Sequence, residues 1–233
     1  MPQPTFILVH GAWHGAWCWR DLTHELDQRS AAWRALDLPS SHGDDAGTDD
    51  LESDAAAVAR LATVGGPVVL VGHSYGGAVI SEAASRIDHL VGLVYLAALR
   101  PKVGQSASEA ARVVPVRTAM DDGLKVDGPF VRLGGDDAAT SLYLECSPEV
   151  QAWAIPQLVR QTLASFRSRR TTPDADVPSR YVLCSNDRAL DPSLQGEMAK
   201  GCGEVIELSS DHSPYLSHPG QCAELILGAV ERG

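Results

Sequence analysis

The sequence predicts an α/β fold, a mainly parallel sheet with helices on both faces and an inserted helical lid, from three observations. Strand-like and helix-like patterns alternate along most of the 233 residues, as they do in a parallel sheet built from crossover units. One strand ends in an abrupt glycine-flanked turn, Gly72-His73-Ser74-Tyr75-Gly76. The alternation then breaks from about residue 100 to residue 172, a stretch of the right size to lie over the carboxyl ends of the strands. The chain therefore reads as one domain, 1–233, with 100–172 as an insertion within it.

The elements follow in order. Thr5-Phe6-Ile7-Leu8-Val9 is an aliphatic, β-branched run suited to a buried strand. A helix is expected near Trp17 to Asp27, then a strand over Ala31 to Leu36 ending in Asp37-Leu38-Pro39. Ser40 to Thr48, rich in Ser, Gly and Asp, reads as loop, and Asp49 to Leu61 as helix. Gly65-Gly66-Pro67 restarts the chain into the strand before Ser74, and Gly77 onward is helical. His89 to Leu96 is the next strand. In the insertion, Gly104, Pro115, Gly123, Gly128, Gly134 and Gly135 punctuate short helical segments such as Pro148 to Phe166. No strand of the main period is evident there. Pro173 to Pro178 leads back to the core, where Arg180 to Cys184 and Val205 to Leu208 are two further strands.

The turn at Ser74 carries the chemistry. A side chain at Gly72 or Gly76 would collide with neighbouring backbone, and the serine itself must adopt a strained conformation. Its hydroxyl is thereby lifted to a helix start, where amides and the dipole favour developing negative charge. A serine hydroxyl is a weak nucleophile and needs a base, which in turn needs an orienting acid. Asp187 follows one predicted strand and His212 another, so serine, acid and histidine occur in an order unlike that of the chymotrypsin or subtilisin types. Asp191 precedes Pro192 and reads as a helix N-cap, while Asp211 is adjacent to His212 and badly placed to face it. Asp187 is therefore the expected acid.

The loop after the first strand, His10-Gly11-Ala12-Trp13-His14-Gly15-Ala16-Trp17, supplies a fourth element. The amides of Ala12 and Tyr75 are the expected oxyanion donors, with Gly11 letting the substrate oxygen approach backbone. His10 reads as a residue tying the loop together. Gly11 and Trp13, with Leu142, Tyr143, Trp153 and Phe166 of the insertion, are the expected substrate pocket. Arg167, Arg169 and Arg170 read as a solvated basic face.

Composition limits the function classes. With 44% hydrophobic and 21% charged residues the chain has an ordinary globular make-up. A net charge of −11 and a pI near 5.1 argue against nucleic acid or an anionic membrane as partner. No apolar run approaches a membrane span, and the first lacks the basic lead of a secretion signal. Cys18, Cys146, Cys184, Cys202 and Cys222 are odd in number and lack metal-ligand spacing. Free thiols in a reducing, cytoplasmic compartment are the expectation. Whether two copies pair as a homodimer the sequence leaves open.

Assembled, these residues resemble the α/β-hydrolase superfamily over essentially the full length, including its Ser-acid-His order. More narrowly, the double His-Gly-Ala-Trp element at 10–17, Asp37-Leu38-Pro39, Gly72-His73-Ser74 and Leu93-Val94-Tyr95-Leu96-Ala97-Ala98 resemble one subgroup. It holds the plant methyl esterases, such as the methyl salicylate esterases, the related hydroxynitrile lyases, and bacterial esterase relatives. The resemblance implies a cofactor-free, capped enzyme acting on small esters. The lyases carry threonine where this chain has Gly11, and lysine where it has Ser213, so hydrolysis is expected over cyanohydrin cleavage. Tyr75 departs from the leucine usual in the plant esterases. Either its ring narrows the acyl pocket or its hydroxyl meets substrate. The expected function is hydrolysis of small carboxylic esters through an acyl-enzyme with Ser74, His212 and Asp187. The alternatives are a lactonase, thioesterase or ring-modifying tailoring enzyme of secondary metabolism on the same triad, or a non-catalytic small-molecule binder.

Overall fold

The computed structural model describes residues 3–42, 46–63 and 65–229. Six strands form one parallel sheet: β1 (Thr5–Val9), β2 (Trp33–Ala35), β3 (Val68–His73), β4 (Leu90–Leu96), β8 (Ser179–Cys184) and β9 (Glu204–Leu208). Their order is β2-β1-β3-β4-β8-β9. Every residue of β3 is buried, whereas β9 at the edge alternates between half-buried and exposed until Leu208. That contrast is what a central parallel strand covered on both faces and an edge strand require.

The order of the strands locates the site. From β1 the chain first crosses to β2 on one side, then returns past β1 to β3 and continues outward. Right-handed crossovers in opposite directions place helices on opposite faces. Helix Arg20–Gln28 packs with Pro219–Leu227, and Leu51–Leu61 packs with Gly76–Ala83. The direction reverses between β1 and β3, and the crevice beyond the carboxyl ends of such neighbouring strands is where ligands bind in open α/β sheets. Val9 pairs with Gly72 in register, so the loop from His10 and the turn at Ser74 leave the sheet side by side.

The structure refines several expected elements. The first helix is a 3₁₀ turn, Ala16–Trp19, running into Arg20–Gln28. Asp50 caps Leu51–Leu61, accepting from the Glu52 and Ser53 amides at 3.0 and 3.1 Å. The expected loop Ser40 to Thr48 begins instead with a helical turn, Pro39–His42; its residues 43–45 lie outside the described residues. The insertion is not purely helical. It holds a three-stranded antiparallel sheet, β5 (Leu124–Asp127), β6 (Phe130–Leu133) and β7 (Gln161–Thr162). The expected helix Pro148 to Phe166 stops at Ala154, with a 3₁₀ turn at Ile155–Gln157, then β7, then helix Leu163–Arg167. Pro156 accounts for the break, since it has no N–H to donate to the Ala152 carbonyl and its ring crowds that carbonyl; Ile155 itself stays helical and the chain tightens there into the 3₁₀ turn. Among the described residues no helix is long and apolar enough to cross a membrane. All five cysteines are unpaired thiols.

Candidate active site

β3 ends at His73, and Ser74 follows with φ +52. For a non-glycine residue that conformation costs on the order of 1–2 kcal/mol, so the surroundings must impose it. They do: the Ser74 amide donates to Leu96 O at 3.2 Å, and its carbonyl accepts from Gly77 and Leu99 at 3.1 and 2.9 Å. A Cβ at Gly72 would lie 2.6 Å from Gly76 O, and one at Gly76 would collide with the Val9 carbonyl. Only glycine fits either place. Helix Gly76–Ala83, buried throughout, starts directly behind the serine.

Asp187 lies past the end of β8 and His212 past the end of β9. Asp187 Oδ2 and His212 Nδ1 are 2.6 Å apart, with both side chains buried. The carboxylate also accepts the amides of Ala189 and Leu190 on Oδ1, at 2.7 and 2.9 Å, and Gln195 Nε2 on Oδ2 at 2.9 Å. With the carboxylate acting only as acceptor, Nδ1 of His212 carries the hydrogen and Nε2 keeps a free lone pair. His73, directly before Ser74, donates Nε2–H to the His212 carbonyl at 2.8 Å, and the two rings stand 4.6 Å apart. Burial holds the His73 ring well below its ordinary pKa, so it is neutral and serves as a strut between the serine turn and the histidine loop.

The rival acids have other work. Asp191 caps Pro192–Ala199 through the Ser193 amide at 2.8 Å. Asp211 accepts from the amides of Glu145 and Ser213 and from Ser217 Oγ, at 2.9, 3.1 and 2.8 Å. Sequence reasoning missed Gln195, which braces Asp187. A glutamine inside a predicted helix carries no signal of that role.

The loop after β1 presents the other side. His10 Nδ1–H donates to Gly11 O at 2.8 Å, and its Nε2 accepts the Leu38 amide at 3.0 Å. In a planar trans peptide the N–H points opposite to the C=O, so holding Gly11 O fixes the direction of the Ala12 N–H. Among the described residues no backbone acceptor takes the Ala12 or Tyr75 amide hydrogen. A Cβ on Gly11 would lie 2.8 Å from Ser74 Cβ, so glycine there lets the loop lie against the serine turn. His14 is engaged at both ring nitrogens, by Ala12 O and the Tyr143 hydroxyl, each at 2.7 Å. Ligand atoms of His10, Asp37 and His42 come within 4.8 Å of one another. Both His10 nitrogens are already hydrogen-bonded, and Asp37 accepts the Ala16 amide at 2.6 Å, so the trio reads as loop structure.

Ser74, Ala12, Trp13 and Tyr75 open onto one cavity of about 640 Å³. Its apolar walls come from Phe166, Leu163, Leu190 and Leu194, with Ala107 and Ala111. Trp13, at φ +64, is tied to the insertion by Nε1 donating to Val131 O at 3.1 Å. Three expected pocket residues are elsewhere. Leu142 and Tyr143 are buried away from the cavity, Tyr143 against His14, and Trp153 packs edge-on to Trp17 under the Arg20 guanidinium. Gly11, a fourth, brings the loop close against Ser74 and is not part of the lining. The roof comes from residues 107–126 and 163–167, while 142–153 folds against the loop at 14–20. The Tyr75 hydroxyl donates to Asp54 Oδ2 at 2.8 Å, which leaves the ring as its contribution to the cavity wall.

The sequence matches the alpha/beta hydrolase family over residues 6–225. It is 34% identical over 252 residues to esterase PIR7B of Oryza sativa subsp. japonica, covering 95% of this chain and 94% of that protein. It is 28% identical to methyl jasmonate esterase 1 of Vitis vinifera, covering 97% and 96%. Among solved structures, a pyrethroid hydrolase from Sphingobium faniae JZ-2 superposes with a TM-score of 0.84 at 25% identity, covering 99% and 98%. On fold, on sequence, and on the extent of the match, the chain belongs to the alpha/beta hydrolase family.

Proposed function

We propose that this chain, a carboxylic ester hydrolase, works through an acyl-enzyme on Ser74. His212 Nε2 takes the Ser74 proton as Oγ bonds to the ester carbonyl carbon, and the oxyanion rests on the Ala12 and Tyr75 amides. As the carbonyl re-forms, the C–O bond to the alcohol breaks and His212 returns the proton to the leaving oxygen. Water then attacks the acyl carbon by the same route, releasing the acid and restoring Ser74. Asp187 holds the imidazole in its required tautomer throughout. The observation that supports this reading best is the 2.6 Å Asp187–His212 contact, in a loop strutted by His73 to the strained serine turn.

The cavity and its mostly apolar wall suit a small ester, and the esterase names of the relatives agree. Five unpaired thiols favour a reducing compartment, the cytoplasm, and the acidic chain disfavours nucleic acid as a partner. The test is intact-mass spectrometry after a fluorophosphonate, beside turnover of short 4-nitrophenyl esters. Stoichiometric labelling that Ser74→Ala abolishes, with turnover falling about 10⁴-fold or more, is the expected result. Undiminished hydrolysis by Ser74→Ala would sink the mechanism.

A further inference from the structure

Residues 100–172 contain eight arginines, and six are occupied. Arg100 and Arg170 both pair with Asp174, at 3.0 and 2.7 Å. Arg170 is no solvated face residue: it is buried and also donates to Pro101 O at 3.0 Å. Arg117 pairs with Asp122, Arg132 with Asp127 at 3.5 Å and Arg169 with Glu109. Arg160 lies over the Phe130 ring at 3.9 Å. The side chains of Arg112 and Arg167 form neither an ion pair nor a hydrogen bond among the described residues. They are also the two of the eight that line the cavity holding Ser74.

That coincidence is chemically informative in this chain. Acidic residues outnumber basic ones by 30 to 19, so carboxylates are plentiful, and the insertion's other arginines mostly find one. The two left unsatisfied come from adjacent elements. Arg112 follows the short helix Ala107–Ala110 and Arg167 ends Leu163–Arg167, and these helices pack together. Arg167 thus also sits at a helix C-terminus, where a cation is stabilised without a partner side chain. Both are exposed while the walls behind them are apolar. A guanidinium keeps its charge and presents a planar fork matched to carboxylate or phosphate.

Two acids share the lining, and both are engaged. Asp191 accepts the Ser193 amide at 2.8 Å, and Asp121 accepts the Thr118 amide at 2.7 Å. Each is partly neutralised by the helix start it caps.

We propose that Arg112 and Arg167 form an anion subsite at the cavity mouth, so that the preferred ester carries a carboxylate group remote from its scissile bond. This rests on the ester-hydrolase reading of Ser74. The ester carbonyl sits at Ser74, the connecting chain runs along Phe166 and Leu163, and the anion meets the two guanidinium groups. The monoester of a dicarboxylic acid is the simplest such molecule.

Calorimetric titration of the Ser74→Ala protein with monomethyl esters of the series succinate to suberate, each against its dimethyl ester, tests the subsite without turnover. At least one monoester should bind roughly fivefold or more tighter than its neutral partner, as expected for two accessible ion pairs. The preference should shrink toward unity when Arg112→Gln and Arg167→Gln are added, and as salt rises from about 0.05 to about 0.5 M. Equal affinities along the series, no binding at all, or a preference that survives loss of both arginines overturns the subsite. Anion preference in a protein that no fluorophosphonate labels would instead overturn the serine mechanism and leave the subsite standing.

Discussion

Tyr75, which lines the cavity beside Ser74, anchors its hydroxyl on Asp54 Oδ2 at 2.8 Å, and Asp54 is fully buried. The same carboxylate accepts the Ser40 amide and hydroxyl at 2.9 and 2.5 Å. Ser40 in turn accepts from Gln161 of β7, which also bonds Ser41 and Ser165. The residue after the nucleophile is therefore fixed to the core and to the insertion through one buried polar network.

Tyr75→Phe separates the two roles open to that side chain. The ring stays, so the cavity wall stays, while Asp54 loses one of three donors. Stability should fall by about 1–3 kcal/mol, the cost of an unmet buried acceptor, with KM for short 4-nitrophenyl esters changing little. Urea unfolding and steady-state kinetics check it. A raised KM at unchanged stability would mean that the hydroxyl meets substrate.

Asp54 also gives the fold a pH signature. Burial pushes its carboxyl up to about 6, against the opposing pull of Ser40 and Tyr75, and Asp49 nearby adds to the rise. Between pH about 4 and 6 the folded chain holds a proton that the unfolded chain has released. The contribution of Asp54 to stability therefore declines as pH rises through that window, by on the order of 2–3 kcal/mol. Asp54→Asn removes the decline, so its stability relative to wild type should increase from pH 4.5 to pH 7. A constant difference across that range would contradict the assignment.

Gln195 should matter to catalysis although it lies behind the acid. Its Nε2 donates to Asp187 Oδ2 and to Leu190 O at 2.9 and 2.8 Å, and its Oε1 accepts the Cys184 amide at 2.9 Å. Gln195→Leu leaves Asp187 with two amides and His212, free to rotate from the imidazole. A fall in kcat of roughly tenfold or more with KM little changed is expected, and a circular dichroism melt shows whether the fold survives. Unchanged kcat would mean that the Ala189 and Leu190 amides hold the carboxylate unaided.

What could be read in advance divides along a physical line. Ser74, Asp187 and His212 can be nominated from the sequence because their signals are local, glycines two places either side of a serine and an acid and a histidine just past strand ends, and the structure brings Asp187 to His212. His10 was legible as loop structure for the same reason. Leu142, Tyr143 and Trp153 were misplaced because which part of an insertion covers a cavity depends on packing between residues far apart in sequence. The strands β5, β6 and β7 are two to four residues long, and β5 is exposed along its length. Such strands carry too little alternation to separate from loop. Asp54 and Gln195 look like ordinary helix residues until folding brings Tyr75 and Asp187 to them.

His10 links catalysis and acid stability in one side chain. Its Nδ1–H holds the Gly11 carbonyl and so orients the Ala12 amide, the proposed oxyanion donor, and loss of such a donor costs about 3 kcal/mol of transition-state stabilisation. His10→Leu should therefore lower kcat by about a hundredfold, with KM less affected. Burial lowers the His10 pKa to about 4, only partly offset by the bond to Gly11. From pH 6.5 down to about 4 the unfolded chain takes up a proton that the folded one refuses, so stability is full above pH 6.5 and is lost as pH falls. That slope amounts to on the order of 3 kcal/mol for this residue. His14 and His73, lowered in the same direction by burial, remain in the variant. The stability difference between wild type and His10→Leu, followed by urea midpoint from pH 7 to pH 4.5, isolates His10. It should shift in favour of the variant as pH falls; a difference that does not change with pH would mean that His10 takes a proton in the folded state as readily as in the unfolded chain.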